Sequence, residues 1–351
     1  MKYYEKIDGI RFIAITSVLV HHTASIFSTY IDLGYFGVDL FFVLSGFLIT
    51  TILLKSDGSF KKVFCNFLVR RSLRIFPLYY FSILLLTIIG NPVVLDNLIY
   101  LLTYTFNYKY PFIDINSPVD HFWSLSVEEQ FYLFWPIIVL SLRTYPKILL
   151  FVVVSIISFS YIQISFNLIP SISIFNYTGL PARMGSLGLG SFGAIIFIIP
   201  SSFLLFILHS EIIEYIMYVV CILSLIFLTP FLMGISSLFL VLKAAENSYY
   251  SNSFNNFLSN KFVVYIGKIS YGLYVYHVII IYYFTPYFFD PIWNSIRFDS
   301  LGYFRVLKYH SWVFKLPLYS IITVVISELS YRYFEQPILL YKDRFFRINS
   351  N

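Results

Sequence analysis

Charged residues are scarce in this sequence. Aspartate, glutamate, lysine and arginine together make up 12% of its 351 residues, whereas about a quarter is usual for a soluble globular protein. Hydrophobic residues make up 58%. This composition excludes an ordinary soluble domain. It predicts an all-α integral membrane protein, because an apolar run of about 20 residues crosses a bilayer as a helix.

Cysteine is almost absent as well. Cys65 and Cys221 are two in number and far apart, so they offer neither a disulfide framework nor the ligand spacing of a metal site. We therefore predict no bound metal. No cleavable signal peptide is recognised either, because the first apolar run continues as a full-length span.

Long apolar runs predict a bundle of about ten transmembrane helices, at 10–28, 34–54, 76–90, 127–142, 147–166, 186–208, 211–228, 230–242, 269–289 and 313–330. With ten spans, 18 of the 24 lysines and arginines fall on the side of the N-terminus. Because positive loops stay in the cytoplasm, we expect a multi-pass protein of the inner (plasma) membrane with both termini cytoplasmic.

The domain organisation predicted is simple. Residues 1–340 form one membrane domain, and residues 341–351 form a short basic cytoplasmic tail. The basic, amphipathic segment 55–75 is expected to lie along the inner membrane surface, and 91–125 is expected to form a long external connection.

The first span carries Arg11 and His22, which are eleven residues apart. On a helix they lie about 20° from the same face and about 16 Å apart along the axis, whereas His21 points about 100° away. Ionisable groups inside a membrane usually mark a pathway or a site. The alternative is that His22 only makes a hydrogen bond between helices.

Two further charged groups need partners. Asp39 follows Gly37 in the second span, and Arg11 is the candidate for an ion pair with it, which would be a structural role. Arg70, Arg71 and Arg74 crowd one predicted cytoplasmic helix start, and their guanidinium groups repel one another unless an anion joins them. Their forked geometry suits phosphate; the alternative is anchoring to anionic lipids.

The stretch HFWSLSVEEQFYLFWP, residues 121–136, holds two adjacent glutamates. Ser126 and Glu129 have the spacing of a capping box, which predicts a helix start there. Glu128 has no such role, and the topology puts it on the same side of the membrane as His22. A carboxylate that reaches an imidazole can form an acid–base pair with it. His277 and Glu335, later in the chain, are expected to make structural hydrogen bonds or ion pairs.

The sequence resembles the membrane-bound acyltransferase family 3 over nearly its whole length. The motifs that carry the resemblance are IDGIRFIAITSVLVHH, GYFGVDLFFVLSGFLIT, RRSLRIFPLYY, FWSLSVEEQFYLFWP, ISYGLYVYHVII and YRYFEQP. The family's Arg-x10-His element falls on Arg11 and His22, its Arg-Arg-x-x-Arg element on Arg70, Arg71 and Arg74, and its recurrent acid on Glu128.

The resemblance implies a function. It implies transfer of an acyl group, above all acetyl, from cytoplasmic acetyl-CoA as co-substrate to a hydroxyl of an extracytoplasmic carbohydrate such as O-antigen, another surface polysaccharide or a lipid-linked precursor. His22 and Glu128 are then the expected catalytic residues, and Arg70, Arg71 and Arg74 the expected acyl-CoA-binding residues. The expected supporting residues are Arg11, Asp39, Ser126, Trp123, His277 and Glu335.

Several features of this function stay open at the level of sequence. Many family members carry an additional hydrolase-like domain. We expect none here, and hence transfer by the membrane domain itself. The expected partners are acyl-CoA, the glycan acceptor and membrane lipids, with no nucleic acid. The alternatives are a carbohydrate exporter or flippase, an acyltransferase for a small acceptor, and a proton-coupled transporter.

Overall fold

The protein is a bundle of helices. The computed structural model describes residues 4–24, 31–113, 116–166, 175–199, 202–248, 252–298 and 302–345, and these ranges contain helices and no β-strand. The long helices are α1 (Glu5–Thr23), α2 (Leu33–Leu54), α3 (Phe60–Ile88), α4 (Phe122–Leu142), α5 (Pro146–Phe166), α6 (Leu180–Ile198), α7 (Glu211–Phe227), α8 (Pro230–Glu246), α9 (Ser270–Phe284) and α10 (Trp312–Ser330). Each predicted span overlaps one of them, although the sixth also reaches into the short helix Ser202–His209, and this confirms an all-helical membrane protein.

The number of spans is a separate matter. Seven helices in the described ranges are long and apolar enough to cross a membrane, or eight if Ser202–His209 and Glu211–Phe227, which meet at a 70° bend, form one span. α1 carries charged residues near its start, and α8 has 17 residues; neither is among the seven. Ten spans therefore stays a prediction. Residues 25–28 of the first predicted span, 200–201 of the sixth and 346–351 of the tail lie outside the described residues.

The basic segment 55–75 differs from its prediction. From Phe60 it continues without a break into the third predicted span, so that α3 is a single helix of 29 residues. At 1.5 Å per residue it is about 44 Å long, which exceeds the hydrocarbon thickness of about 30 Å. Arg71 and Arg74 lie eleven and fourteen residues beyond Phe60. They are therefore about 16–21 Å inside the helix, not at its start.

The centre of the bundle is the contact between α2 and α6. Gly46 on α2 and Gly190 on α6 face the partner backbone: a Cβ atom at either position would lie 2.0 Å from a carbonyl oxygen, of Leu187 and Val43 respectively. Glycine allows two membrane helices to approach this closely. α1 packs on the other side of α2, and this layer positions the polar residues described below.

Short helices cover one end of the bundle, as Pro92–Asp96, Leu98–Leu102, Phe106–Lys109 and the 3-10 turn Tyr110–Phe112. Tyr79 and Tyr80 of α3 fasten them by donating hydrogen bonds to the carbonyl oxygens of Leu101 (2.8 Å) and Leu102 (3.0 Å). Near the end of α4, Arg143 bonds the carbonyl oxygens of Ser56 (3.0 Å) and Gly58 (2.8 Å). The connections 55–59 and 143–145 therefore lie together, at the end of the bundle where α3 begins.

The remaining short elements connect or follow the long helices. They are Phe175–Thr178, Ser202–His209, Asn252–Leu258, Lys261–Lys268, the π-helical Thr285–Phe289, Asp290–Ser295, the 3-10 segment Gly302–Tyr309, the π-helical Tyr331–Glu335, and Gln336–Phe345.

Candidate active site

Three arginines from two helices line one cavity. Arg11 comes from α1, and Arg71 and Arg74 come from α3. The cavity has a volume of about 110 Å³, which is room for several water molecules or one phosphate group. The other polar residues that line it are Ser45, Ser124, Glu128, Tyr132, Ser270, Tyr271 and Tyr274.

Arg70 does not line this cavity, although the sequence grouped it with Arg71 and Arg74. On α3 the three side chains are spread over about 100° of the helix surface, and Arg71 and Arg70 are at the two edges of that range. The cavity is on the Arg71 edge, where the guanidinium of Arg71 also lies 5.3 Å from the ring centre of Tyr132.

Glu128 belongs to the arginine cavity and not to the histidines. Its carboxylate accepts a hydrogen bond of 2.9 Å from the hydroxyl of Tyr132, which is in turn 2.7 Å from the hydroxyl of Ser45. In the part of the chain that the structure describes, no hydrogen bond or ion pair joins Glu128 to His22. The predicted contact between His22 and Glu128 is therefore absent.

The reason for this difference is the start of α4. The predicted capping box at Ser126 and Glu129 is wrong, because the helix begins four residues earlier, at Phe122. Ser126 is buried within the helix, and its hydroxyl donates to the carbonyl oxygen of Phe122. Glu128 thus lies about 9 Å inside α4, and Glu129 lines a second cavity of about 250 Å³ together with Arg71.

Four histidines form a chain of touching rings. The ring centres of His21 and His22 are 5.1 Å apart, those of His22 and His277 are 5.1 Å apart, and those of His277 and His121 are 4.9 Å apart. His277 makes the structural hydrogen bond predicted for it, from Nδ1 to the carbonyl oxygen of Tyr274 at 2.7 Å. We call these four residues the histidine chain.

Sequence reasoning missed His121. Its only sequence signal is that it precedes Glu128 by seven residues, which places the two near one face of a helix about 10 Å apart. That relation becomes informative only when the partner rings on α1 and α9 are known.

Tyr274 joins the histidine chain to the arginine cavity. It lines the cavity, and its ring centre is 5.3 Å from that of His121 and 5.5 Å from that of His277. Its hydroxyl is 2.5 Å from the hydroxyl of Ser124, which also lines the cavity. α1 makes the same connection along its length, because Arg11 is at the cavity and His22 in the histidine chain.

The partner predicted for Asp39 is wrong. Arg11 pairs with Asp8, one turn away on its own helix. Asp39 instead lies 3.9 Å from the guanidinium of Arg183 on α6 and accepts a hydrogen bond from Ser186. Both members of the pair are fully buried, which suits a structural role because a lone buried charge is very costly.

Aromatic rings surround Arg183. Its guanidinium lies 4.2 Å from the ring centre of Tyr35, 4.5 Å from that of Tyr177 and 5.2 Å from that of Trp123. Trp123, a predicted supporting residue, therefore contacts Arg183. Nothing in the sequence marks Arg183 as the partner of Asp39, because 144 residues separate them.

Glu335 is also placed near the arginines. It accepts a hydrogen bond of 3.3 Å from Ser330 and interacts electrostatically with Arg74. This agrees with the structural hydrogen bonding predicted for it. Among the described residues, no group of three or more histidines, cysteines, aspartates or glutamates has the arrangement of a metal site.

The chemistry available here has two parts. Guanidinium groups around a small cavity can bind the oxygens of a phosphate. A neutral imidazole can take a proton from a hydroxyl group. The structure brings these two parts together through Tyr274.

Comparison with known proteins agrees with this reading. The family described as an acyltransferase domain matches residues 4–332. The chain is 30% identical to the peptidoglycan O-acetyltransferase OatA of Listeria monocytogenes. The alignment is 370 positions long and covers 96% of this chain and 56% of that protein. The chain is 28% identical to the O-acetyltransferase OatA of Staphylococcus aureus, in an alignment that covers 96% of this chain and 57% of that protein. The chain thus spans little more than half the length of these relatives. No solved structure matches it.

Proposed function

This chain belongs to the acyltransferase family whose pattern it matches over residues 4–332, and from that premise we propose that it O-acetylates a carbohydrate of the cell surface. The donor is acetyl-CoA on the cytoplasmic side. The acceptor is a glycan hydroxyl on the opposite side. The observation that carries this proposal is the cavity with three guanidinium groups, joined through Tyr274 to the histidine chain.

The arginine cavity fits part of the donor. Arg11, Arg71 and Arg74 would bind one phosphate group of CoA by charge-assisted hydrogen bonds. The cavity is too small for the whole donor, so the remaining part would extend beyond it. Glu128, which accepts from Tyr132, would keep the Tyr132 ring in place beneath Arg71.

The histidine chain would serve the acceptor. A sugar hydroxyl is a weak acid, so little of it is deprotonated, and without a base it is too poor a nucleophile to attack a thioester. An imidazole that removes its proton contributes typically about 10²–10⁴-fold to the rate. We assign this role to His22, which lies one residue from the end of α1 and about 16 Å along the helix from Arg11.

The acceptor class is also a proposal. The sequence resemblance suggested O-antigen or another surface polysaccharide, whereas one relative is named for peptidoglycan. The chemistry these acceptors share is a carbohydrate hydroxyl outside the membrane, and we propose this class without choosing a particular glycan.

The experiment that tests the proposal follows the acetyl group. Membrane vesicles that contain the protein are supplied with acetyl-CoA labelled in the acetyl group, and the label in alkali-labile esters of the glycan fraction is measured. We expect labelled ester in vesicles with the wild-type protein and background levels with His22→Ala. An exporter, a flippase or a proton-coupled transporter would give glycan movement or proton movement without label in the glycan, and that result would reject the proposal.

A further inference from the structure

Two histidines of the histidine chain have a defined hydrogen atom and a defined lone pair. Nδ1 of His277 is 2.7 Å from the carbonyl oxygen of Tyr274, and Nε2 of His121 is 3.1 Å from the carbonyl oxygen of Val275. A carbonyl oxygen only accepts, so each of these nitrogens carries the hydrogen. In the neutral rings, Nε2 of His277 and Nδ1 of His121 are therefore proton acceptors.

Both acceptor nitrogens are buried and lack a hydrogen-bond partner among the described residues. His277 is 0% exposed and His121 is 4% exposed. Buried polar atoms are normally paired, and exceptions need an explanation. Two neighbouring rings that both present a free lone pair can together hold one additional proton.

The two ends of the histidine chain differ. At one end, Nδ1 of His21 is 3.5 Å from the carboxylate of Asp32, and His21 is partly exposed. At the other end, His121 and His277 contact Tyr274, whose hydroxyl meets that of Ser124 at the wall of the arginine cavity. The histidine chain therefore runs from a partly exposed carboxylate to the cavity assigned to the donor.

We propose that His22 removes the proton from the acceptor and that His277 and His121 carry this proton to the donor cavity; this inference rests on the proposed function. In the reaction a C–O bond forms to the acceptor oxygen, the C–S bond of the thioester breaks, and the hydroxyl proton ends on the thiolate sulfur. No proton is gained or lost overall. When donor and acceptor bind at opposite ends of the histidine chain, that proton needs a path.

The tests use substitutions that keep each structural hydrogen bond. His277→Asn places an amide N–H where Nδ1 donates to Tyr274, and His121→Gln places one where Nε2 donates to Val275. Neither side chain retains the free imidazole nitrogen. The matched control is His209→Asn, because exposed His209 has its Nδ1 2.9 Å from the carbonyl oxygen of Leu205 and lies outside the histidine chain.

We expect His277→Asn and His121→Gln to lower acetyl ester formation by about 10²-fold or more, with acetyl-CoA affinity in detergent unchanged. His209→Asn is expected to keep wild-type activity. The retained acetyl-CoA affinity shows that a variant is folded. If a variant loses that affinity, the alanine variant at the same position is measured with added imidazole instead. Recovery of activity with imidazole supports the relay, whereas no recovery contradicts it.

The possible failures can be told apart. An active wild-type protein together with fully active His277→Asn and His121→Gln would overturn the relay and leave the proposed function intact. A wild-type protein that forms no acetyl ester would overturn both. A solvent deuterium isotope effect on turnover that disappears in the control His209→Asn would also contradict the relay.

Discussion

Arg71 lies between the arginine cavity and the cavity beside Glu129, and it lines both of them together with Tyr132. Its guanidinium lies over the rings of Phe67 and Tyr132. An arginine held on aromatic rings is pre-positioned to form a fork of hydrogen bonds. A phosphate in the arginine cavity would therefore depend on Arg71 more than on Arg70, its neighbour in sequence.

The first prediction compares these two arginines. Arg71→Ala removes charge-assisted hydrogen bonds worth about 1.5–3 kcal/mol each and is expected to weaken acetyl-CoA binding in detergent by about 10- to 100-fold. Arg70→Ala is the matched control, because it removes the same charge outside the cavity. Equal losses of acetyl-CoA affinity in both variants would indicate that the three arginines serve only to anchor the protein to membrane lipids.

The second prediction concerns the sign of the effect at Glu128. Its carboxylate is the negative group that lines the arginine cavity. Glu128→Gln keeps an acceptor for the hydroxyl of Tyr132 and removes the charge, so a phosphate is expected to bind several-fold more tightly. The dissociation constant of acetyl-CoA measures this effect, and weaker binding would show that Glu128 supports the arginines in another way.

At the scale of helices, the contact between α2 and α6 fixes the position of Asp39 beside Arg183 and Ser186. The third prediction tests this contact. Gly46→Ala would place a methyl group against the carbonyl oxygen of Leu187, and overpacking of this kind costs about 1–3 kcal/mol. We expect a lower Tm in detergent.

A control on α6 separates backbone contact from side-chain contact. A Cβ atom at Gly188 would meet a side-chain atom of Ile157, which can move, instead of a backbone atom. Gly188→Ala is therefore expected to lower the Tm less than Gly46→Ala. The reverse order would show that α2 and α6 can separate at little cost.

The elements of this protein could be predicted from sequence much better than their ends. Apolar runs located all ten long helices, because hydrophobic length is a local property. The ends of α3 and α4 were misplaced by residues that tolerate both helix and loop. Lys61 and Lys62 resembled a surface loop but belong to α3, and Ser126 resembled a cap but lies within α4.

At the scale of the whole molecule, helical spacing relates residues on one helix, but it does not say which neighbouring helix each residue meets. Helical geometry places Arg11 and His22 near one face, and the structure brings them to two connected groups. The partners of Asp39 and Glu128 depend on how helices pack, and no spacing within a single sequence encodes that. His121 was missed for the same reason.

The fourth prediction concerns membrane topology. The 18-to-6 division of basic residues predicts that Ser59 and Tyr145 lie in the cytoplasm and that Phe112 lies outside. All three are exposed, so a single cysteine at each can be labelled after Cys65 and Cys221 are replaced by serine. Labelling of all three positions by an impermeant reagent from the same side would contradict the predicted arrangement.

The central claim is that this chain acetylates a surface glycan through His22. The most direct measurement is the amount of acetyl ester on glycan purified from cells that express each variant, divided by the amount of the protein in the membrane. We predict ester with the wild-type protein, none with His22→Ala, and much of the wild-type amount with His21→Ala, because His22 is the ring that contacts His277. Wild-type levels of ester in His22→Ala cells would contradict the account.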